Sequence, residues 1–548
     1  MHYIIPHFIA RRILFPLIAL CTLSIAAAQE TGPAYSGSMG SVTVGDQQLY
    51  RLSMRPDIPL GKWGLALDIE LFIDEEGGFS DRGWKFGTST ETLNTFLRKL
   101  YYLRYGRPND DLYFKIGALD EVTLGYGFIM DGYRNTVQYP GIKKTGVQFQ
   151  LDNLGSQQFK VEGVVNNIQD FQGGGALLGL RLSAQPVGKL EFGLTYVVDI
   201  DQYGGLLDSD DDGFPDDVDA FPGDEDRALD NDADGVADET DSDDDNDGAI
   251  DIDAASGLSD EILSRLGGIN ADFGDNAFPV DRDVNRKNPF NKDRVDGDRF
   301  GILGFDAAYP LIDSKKLDLR LYGQVALLVD DDDQLSAAQA DSQGVTRRNR
   351  KAEGFGIAAP GLWLKAGPLT GQIEFRHFQD DFDAGYFDNL YELDRARLDV
   401  ATGRATPKDA LLGRDASQSG VYGRIGANLG GLLDTAADYQ YLSGADNPKQ
   451  QLHARANLSK KMLENVPRLT RAQAYYQKNN IGARLNERGN GEDDFLESTE
   501  DTFYGYLVGW EMSSGVSLFW DTRFVFERGA DLRLQRQKIM TIETVFTF

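Results

Sequence analysis

Residues 65–74 read Leu-Ala-Leu-Asp-Ile-Glu-Leu-Phe-Ile-Asp. Leu65, Leu67, Ile69, Leu71 and Ile73 alternate with Ala66, Asp68, Glu70, Phe72 and Asp74. Successive side chains of a β-strand point to opposite faces, so this stretch reads as a strand with one continuous apolar face. The pattern recurs along the chain. Leu317, Leu319, Leu321, Val325, Leu327 and Val329 alternate with Asp318, Arg320, Tyr322 and Gln324. Near the C-terminus, Tyr504, Tyr506, Val508, Trp510 and Met512 share a face. So do Val516, Leu518, Trp520, Phe524 and Phe526, opposite Ser517, Asp521, Arg523 and Glu527. Each segment runs for about 10 residues, the length that carries a tilted strand across a bilayer.

A soluble sandwich with one wet face would also alternate. Three features favour a membrane barrel. Strand follows strand with no helical crossover. Tyr and Trp recur near strand ends (Tyr101, Tyr105, Trp363, Trp510, Trp520), where an interfacial girdle places them. Connections alternate between short (107–111, 152–157, 185–189, 513–515) and long (75–97, 120–143, 330–352, 379–416, 479–500). Up-and-down barrels show that asymmetry, with short turns on the periplasmic side and long loops outside.

Composition agrees. The chain has 548 residues and a net charge of −32. Its mean hydropathy is only −0.38, as expected when alternate residues alone face lipid. Residues 1–28 read as a signal peptide: Arg11 and Arg12, the apolar run Ile13 to Ile25, then Ala26-Ala27-Ala28. That run is too short to span a bilayer as a helix, and no later stretch is long and apolar enough. Cys21 follows Ile18-Ala19-Leu20, and the bulky Leu20 argues against lipidation there. Removal of the signal peptide leaves no cysteine, so disulfides are excluded.

The final segment, Ile539 to Phe548, carries Phe546 and the terminal Phe548 on one face. It resembles the terminal-strand signal of bacterial outer-membrane proteins. Roughly 19 strand-like segments lie between 47 and 548, Ser38 to Gly45 could add one, and such barrels usually have an even number. The expectation is an all-β, antiparallel, transmembrane up-and-down β-barrel of about 18 strands, with 16 to 20 open. Its parts would be 29–199 and 299–548, separated by an insert at 200–298. By alternation the insert is extracellular.

The insert is the second decisive stretch. Within 208–253 there are 22 acidic residues against one Arg, a net of −21 and about two thirds of the whole formal charge. A solvated acidic run is the plain reading. The spacing says more. Asp208, Asp210, Asp212, Gly213, Asp216 and Asp219 occupy relative positions 1, 3, 5, 6, 9 and 12. Asp230, Asp232, Asp234, Gly235, Asp238 and Asp241 repeat the spacing. Asp243, Asp245, Asp247, Gly248 and Asp251 repeat it again, with Ala254 at the last position. Carboxylates so placed can converge on one hard cation, with glycine permitting the sharp turn. Calcium, taking 6–8 oxygen ligands at roughly 2.3–2.6 Å, suits them better than magnesium, which keeps its waters. These fourteen aspartates are the candidate metal ligands. The pattern, with Asp219-Ala220-Phe221-Pro222 closing one repeat and Asn276-Ala277-Phe278-Pro279 echoing it, resembles thrombospondin type 3 repeats of bacterial surface proteins. Beyond the repeats, Leu258 to Leu266 could form a short helix.

No enzyme is expected. His377 precedes Asp380, Asp381 and Asp383, which fits polar surface better than a catalytic pair, and no nucleophile elbow, phosphate loop or zinc cluster occurs. No plug-sized segment precedes the first strand, which disfavours a siderophore-type transporter. The leading function is a porin-like channel for small solutes. Its inward set would hold Asp68, Glu70, Arg104, Asp318, Arg320, Glu374, Arg376, Arg424, Arg455, Arg471, Asp521 and Arg523. Leu124 to Tyr133 (Leu-Gly-Tyr-Gly-Phe-Ile-Met-Asp-Gly-Tyr) is too apolar for an exposed tip and should fold inward to narrow the pore. The alternative is a surface adhesion or structural protein anchored by the barrel, whose insert binds an extracellular ligand. Outer-membrane lipid and calcium are the expected partners, and nucleic acid is not.

Overall fold

The computed structural model describes residues 34–547 except for short stretches, the longest being 242–249, 252–279, 282–288 and 331–339. The expected signal peptide, Asp243, Asp245, Asp247 and the helix at Leu258 to Leu266 lie outside the described residues. Of Asp251 only the backbone is described, in a short strand, Ile250–Asp251.

Antiparallel strands make one closed wall. They are β1 (Ala34–Val44), β2 (Gln47–Leu60), β3 in two halves (Trp63–Leu67 and Ile69–Ile73), β4 (Leu100–Tyr105), β5 (Leu112–Gly117), β6 (Gly146–Leu154) and β7 (Phe159–Val165). Next come β8 (Leu177–Val187), β9 (Leu190–Asp199), β10 (Phe300–Asp313), β11 (Leu317–Asp330), β12 (Gly354–Ala366) and β13 (Leu369–Asp380). The wall ends with β14 (Asp415–Leu429), β15 (Leu433–Ser443), β16 (Lys449–Leu458), β17 (Leu469–Lys478), β18 (Thr502–Ser513), β19 (Val516–Arg528) and β20 (Leu534–Thr547). β20 pairs back onto β1 from Ser36↔Thr547 to Gly40↔Glu543, which closes the barrel.

The barrel therefore has 20 strands rather than about 18. The strand hardest to read is β1, Ala-Tyr-Ser-Gly-Ser-Met-Gly-Ser-Val-Thr-Val, where Gly and Ser stand in place of alternating apolar residues. Pairing with β2 and β20 makes it a strand.

Register sorts the side chains as alternation requires. Leu180, Leu194, Phe305, Leu321, Ile373, Val421 and Ile425 are exposed on the outer face. Arg181, Asp306, Gln324, Glu374, Arg376 and Gln440 are buried on the inner one. Two aromatics expected in the girdle turn inward instead. A bulge between Ala66 and Leu67 rotates Tyr101 into the lumen, 4.3 Å below the Arg55 guanidinium. Trp363 pairs with inward Arg320, whose guanidinium lies 5.5 Å from its ring. Short turns such as 61–62, 188–189, 367–368 and 514–515 all fall at one end of the barrel. The long connections 74–99, 118–145, 200–299, 331–353, 381–414 and 479–501 all fall at the other.

The apolar core sits inside the barrel. Phe128, Ile129, Met130 and Tyr133 from 118–145, and Phe382, Tyr386, Phe387 and Tyr391 from 381–414, pack against Val164, Leu177, Val197, Phe300, Ile302 and Phe378 of the wall. A buried ionic knot holds both loops. Arg395, fully buried, forks onto Asp199 at the end of β9 (2.5 and 2.7 Å) and reaches Asp170 at 3.2 Å. The Tyr391 hydroxyl donates to Asp199 at 2.8 Å. Beside them Glu392 accepts from Lys144 and Tyr133, so the two loops are tied to each other. Burial alone would raise the Glu392 carboxyl, but Lys144 and Arg395 outweigh it and hold it at about 2.

A carboxyl lowered in this way stabilises the docked loops above its ordinary 4.5 and loses that contribution as pH falls towards about 2. Pepsin cleavage within 381–414 should accelerate across that window. Asp199→Ala leaves a buried guanidinium without its main partner, a loss of roughly 3–5 kcal/mol. The variant should release 381–414 to protease at neutral pH while the barrel keeps its strand signal in circular dichroism.

Candidate functional site

The 118–145 loop is the first element of the site, and it crosses the lumen. On one side the Tyr139 hydroxyl meets Arg51 of β2 at 2.6 Å and Asp68 between the halves of β3 at 2.7 Å. Tyr126 stacks on Tyr322 of β11, 4.1 Å apart and 2° from parallel, and its carbonyl accepts from Gln372 of β13 at 3.2 Å. A Cβ on Gly304 of β10 would come within 2.6 Å of Ile129 Cδ1, so glycine lets the loop lie against the wall. Farther round, Asp131 accepts from Arg424 of β14 at 3.1 Å, Glu121 pairs with Arg455 of β16, and Arg523 of β19 donates to the Val137 carbonyl at 2.7 Å. One loop thus touches walls all round the barrel. Its apolar side docks on β7 to β13 and its polar groups meet β14, β16 and β19.

The inward fold expected for Leu124 to Tyr133 is present. The 381–414 loop, which by length alone reads as one more long outer connection, does the same. The Phe387 N–H donates to the Ile129 carbonyl at 3.2 Å, and the Asp131 N–H returns a bond to Phe387 at 3.1 Å. Phe382-Asp-Ala-Gly-Tyr-Phe387 carries the same signal as 124–133, an aromatic cluster too apolar for a tip.

Every residue of the expected inward set lies on the lumen face by register. Many form opposite-charge pairs two residues apart on one strand: Asp318–Arg320 at 3.0 Å, Glu374–Arg376 at 2.6 Å and Asp521–Arg523 at 2.8 Å. Such pairs keep charge in the lumen while compensating it locally. His377 lies on the outer face, with Nδ1 2.8 Å from the Ser419 hydroxyl.

The acidic insert is the second element. Carboxylate oxygens of Asp208, Asp210 and Asp212 lie within 4.8 Å of one another, and so do those of Asp230, Asp232 and Asp234. Asp216, Asp219, Asp238 and Asp241 are not part of these triplets. The two loops share one backbone design 22 residues apart. Gly213 and Gly235 take φ of 94° and 90°, which few other residues adopt. Their N–H groups donate to Asp208 (3.2 Å) and Asp230 (2.9 Å). Phe214 and Val236 N–H groups donate to Asp212 and Asp234, both at 2.8 Å. Asp216 and Asp238 N–H groups donate to Leu207 and Leu229, again both at 2.8 Å.

The first loop fits a cation on independent grounds. Asp210 and Asp219 are 6% and 7% exposed, and one carboxylate oxygen of each has no hydrogen-bond partner. Burial, and then the charges of Asp212, Asp210 and Asp216, push the Asp219 carboxyl up to about 7. A divalent cation would relieve both the repulsion and the unmet oxygens. The base of this loop is anchored. The Lys292 ammonium donates to the Leu206 carbonyl at 2.8 Å, and Phe290 packs on Tyr203 with ring centroids 4.8 Å apart.

No known family model matches the sequence, and a search of curated proteins finds no relative. Among solved structures, the apo FrpB iron transporter of Neisseria meningitidis is similar at 7% identity, covering 95% of this chain and 82% of that one, with a TM-score of 0.34. The siderophore receptor PirA of Pseudomonas aeruginosa is similar at 8% identity, covering 95% and 82%, with a TM-score of 0.31. OccK11 of Pseudomonas aeruginosa is similar at 9% identity, covering 94% and 95%, with a TM-score of 0.29. The functional reading of this barrel rests on its own geometry.

Millimolar calcium should protect 208–241 from protease, and a chelator should expose it while leaving the barrel intact. Asp212→Ala with Asp234→Ala should weaken that protection. Equal cleavage with calcium and with chelator would return the segment to a plain acidic tract. A proton on Asp219 competes with the cation, so half-protection should need more calcium below pH 7 than above it.

Proposed function

We propose that this chain forms a channel across the outer membrane for small hydrophilic solutes, narrowed by the 118–145 loop, with a calcium-binding insert on the extracellular face. The observation that carries the reading is that one loop reaches the walls on both sides of a charge-lined lumen. Its apolar side is spent on β7 to β13. Its contacts with β14 to β19 are polar, in a region that holds Glu121, Asp131, Arg424, Arg455, Asp521 and Arg523. Such a surface holds water and offers a passing solute charges of both signs. Calcium at Asp208, Asp210 and Asp212 would supply positive charge that lets the acidic loop stay folded at the mouth, and the chain's own residues line the passage.

Purified protein in planar bilayers should give stepwise conductance. Phe128→Ala with Met130→Ala removes the loop's apolar anchor and should raise the step about twofold or more. Leu194→Ala, on the outer face, should leave it unchanged. A protein with no conductance steps, in wild type and loop variant alike, would sink the channel reading.

A further inference from the structure

The wall has a notch. β4 pairs only with the lower half of β3, from Trp63↔Tyr105 to Leu67↔Leu100. The upper half, Ile69–Ile73, pairs with β2 on one side and has no barrel strand on the other. Its edge is covered by residues of the 74–99 connection. A two-residue strand, Phe79–Ser80, pairs with Phe72 and Ile73, and the Trp84 indole N–H donates to the Glu70 carbonyl at 2.7 Å. The helix α1 (Ser89–Arg98) follows and leads straight into β4.

Register sets the height and orientation of this patch. Tyr50 of β2 pairs with Ile73, and Ile73 pairs with Phe79, so the three occupy one row on the outer face. Below Tyr50 on that face come Leu52 and Met54, both exposed, in the apolar belt. Phe79 therefore continues the belt at the level of its upper rim, and it is 75% exposed. Helix α1 is inverted relative to a helix in water. Leu93 and Phe96, one turn apart, are 53% and 60% exposed, whereas Thr95 is buried with its hydroxyl on the Lys85 carbonyl at 2.6 Å. Phe86 lies against Phe96, 6.5 Å between rings, and is exposed as well. A surface helix normally turns its polar residues outward. An apolar outward face continuous with a lipid-facing belt is the signature of a helix lying in the membrane interface.

We propose that Phe79, Phe86, Leu93 and Phe96 form a lipid-seated flap: the outer surface of α1 rests in the leaflet at the long-loop end and completes the wall where strand pairing stops. Lipid is the occupant because the row Tyr50–Ile73–Phe79 joins this patch to the belt without a break. The inference rests on the membrane-barrel reading, not on conduction. The test is site-directed spin labelling in phospholipid vesicles, on the full chain carrying Cys21→Ser, with a single cysteine introduced by Leu93→Cys, Phe96→Cys or, as a belt control, Leu194→Cys. Labels at 93 and 96 should be relaxed by oxygen more than by a water-soluble nickel chelate, in a smaller ratio than at 194, as befits their shallower level. Stronger relaxation by the chelate would place the helix in water and overturn the proposal. Protection from both agents would mean a protein neighbour, such as a second copy, and would overturn it equally. If the label at 194 itself meets the chelate, the membrane barrel fails and this proposal falls with it.

Discussion

Backbone N–H and C=O groups along an open strand edge lack partners, and a strand wall that closes on itself leaves no such edge. The rest of this structure follows from that constraint. Closure requires β20 to find β1, and it makes a strand of the Gly- and Ser-rich stretch Ala34–Val44. It imposes one alternation on every strand, with Leu180, Leu194 and Ile373 outward and Arg181, Asp306 and Glu374 inward. Where pairing lapses, above β4, the edge of β3 is still covered, by Phe79–Ser80 and the Trp84 indole.

A closed wall of this size leaves a lumen that side chains alone do not fill. The chain fills much of it with its own loops. Their apolar residues form the protein's core, which is why a barrel with an apolar outer face also has a hydrophobic cluster within. Several charges that enter with the loops are matched: Arg395 by Asp199 and Asp170, Lys144 by Glu392, and Asp131 by Arg424 of the wall. An unmatched charge at these depths would cost several kcal/mol, so the pairs fix where the loops sit.

The insert obeys different physics. The carboxylates of its acidic loops repel one another, and within 208–241 Phe214, Ala228 and Ala237 are the main buried apolar residues among those described. That is too little to offset an ordering cost of about 1–2 kcal/mol per residue. The insert is tied to the barrel through Phe290, Tyr203 and the Lys292 ammonium, and that cluster also includes Ala396 and Ala405 of the 381–414 loop. The mouth and the lumen are therefore one packed unit.

Alternation from Leu65 to Ile73, and its recurrence, determined the strands, their faces and the inward charged set, because a two-residue period is a local property. Connection lengths determined the two ends of the barrel. Aspartates at positions 1, 3 and 5 with glycine at 6 determined the turn geometry of the acidic loops, because carboxylate-to-backbone bonds span only a few residues. Leu124 to Tyr133 announced its inward fold by being too apolar for water. Only the tertiary structure decided the rest. The strand count turned on β1, which has no pattern of its own and exists through its neighbours. Tyr101 and Trp363 turned inward because of a bulge and a cross-strand partner, neither visible in one strand's sequence. Arg395 met Asp199 across nearly two hundred residues, and no local spacing encodes such a pair: the closed barrel brings them together.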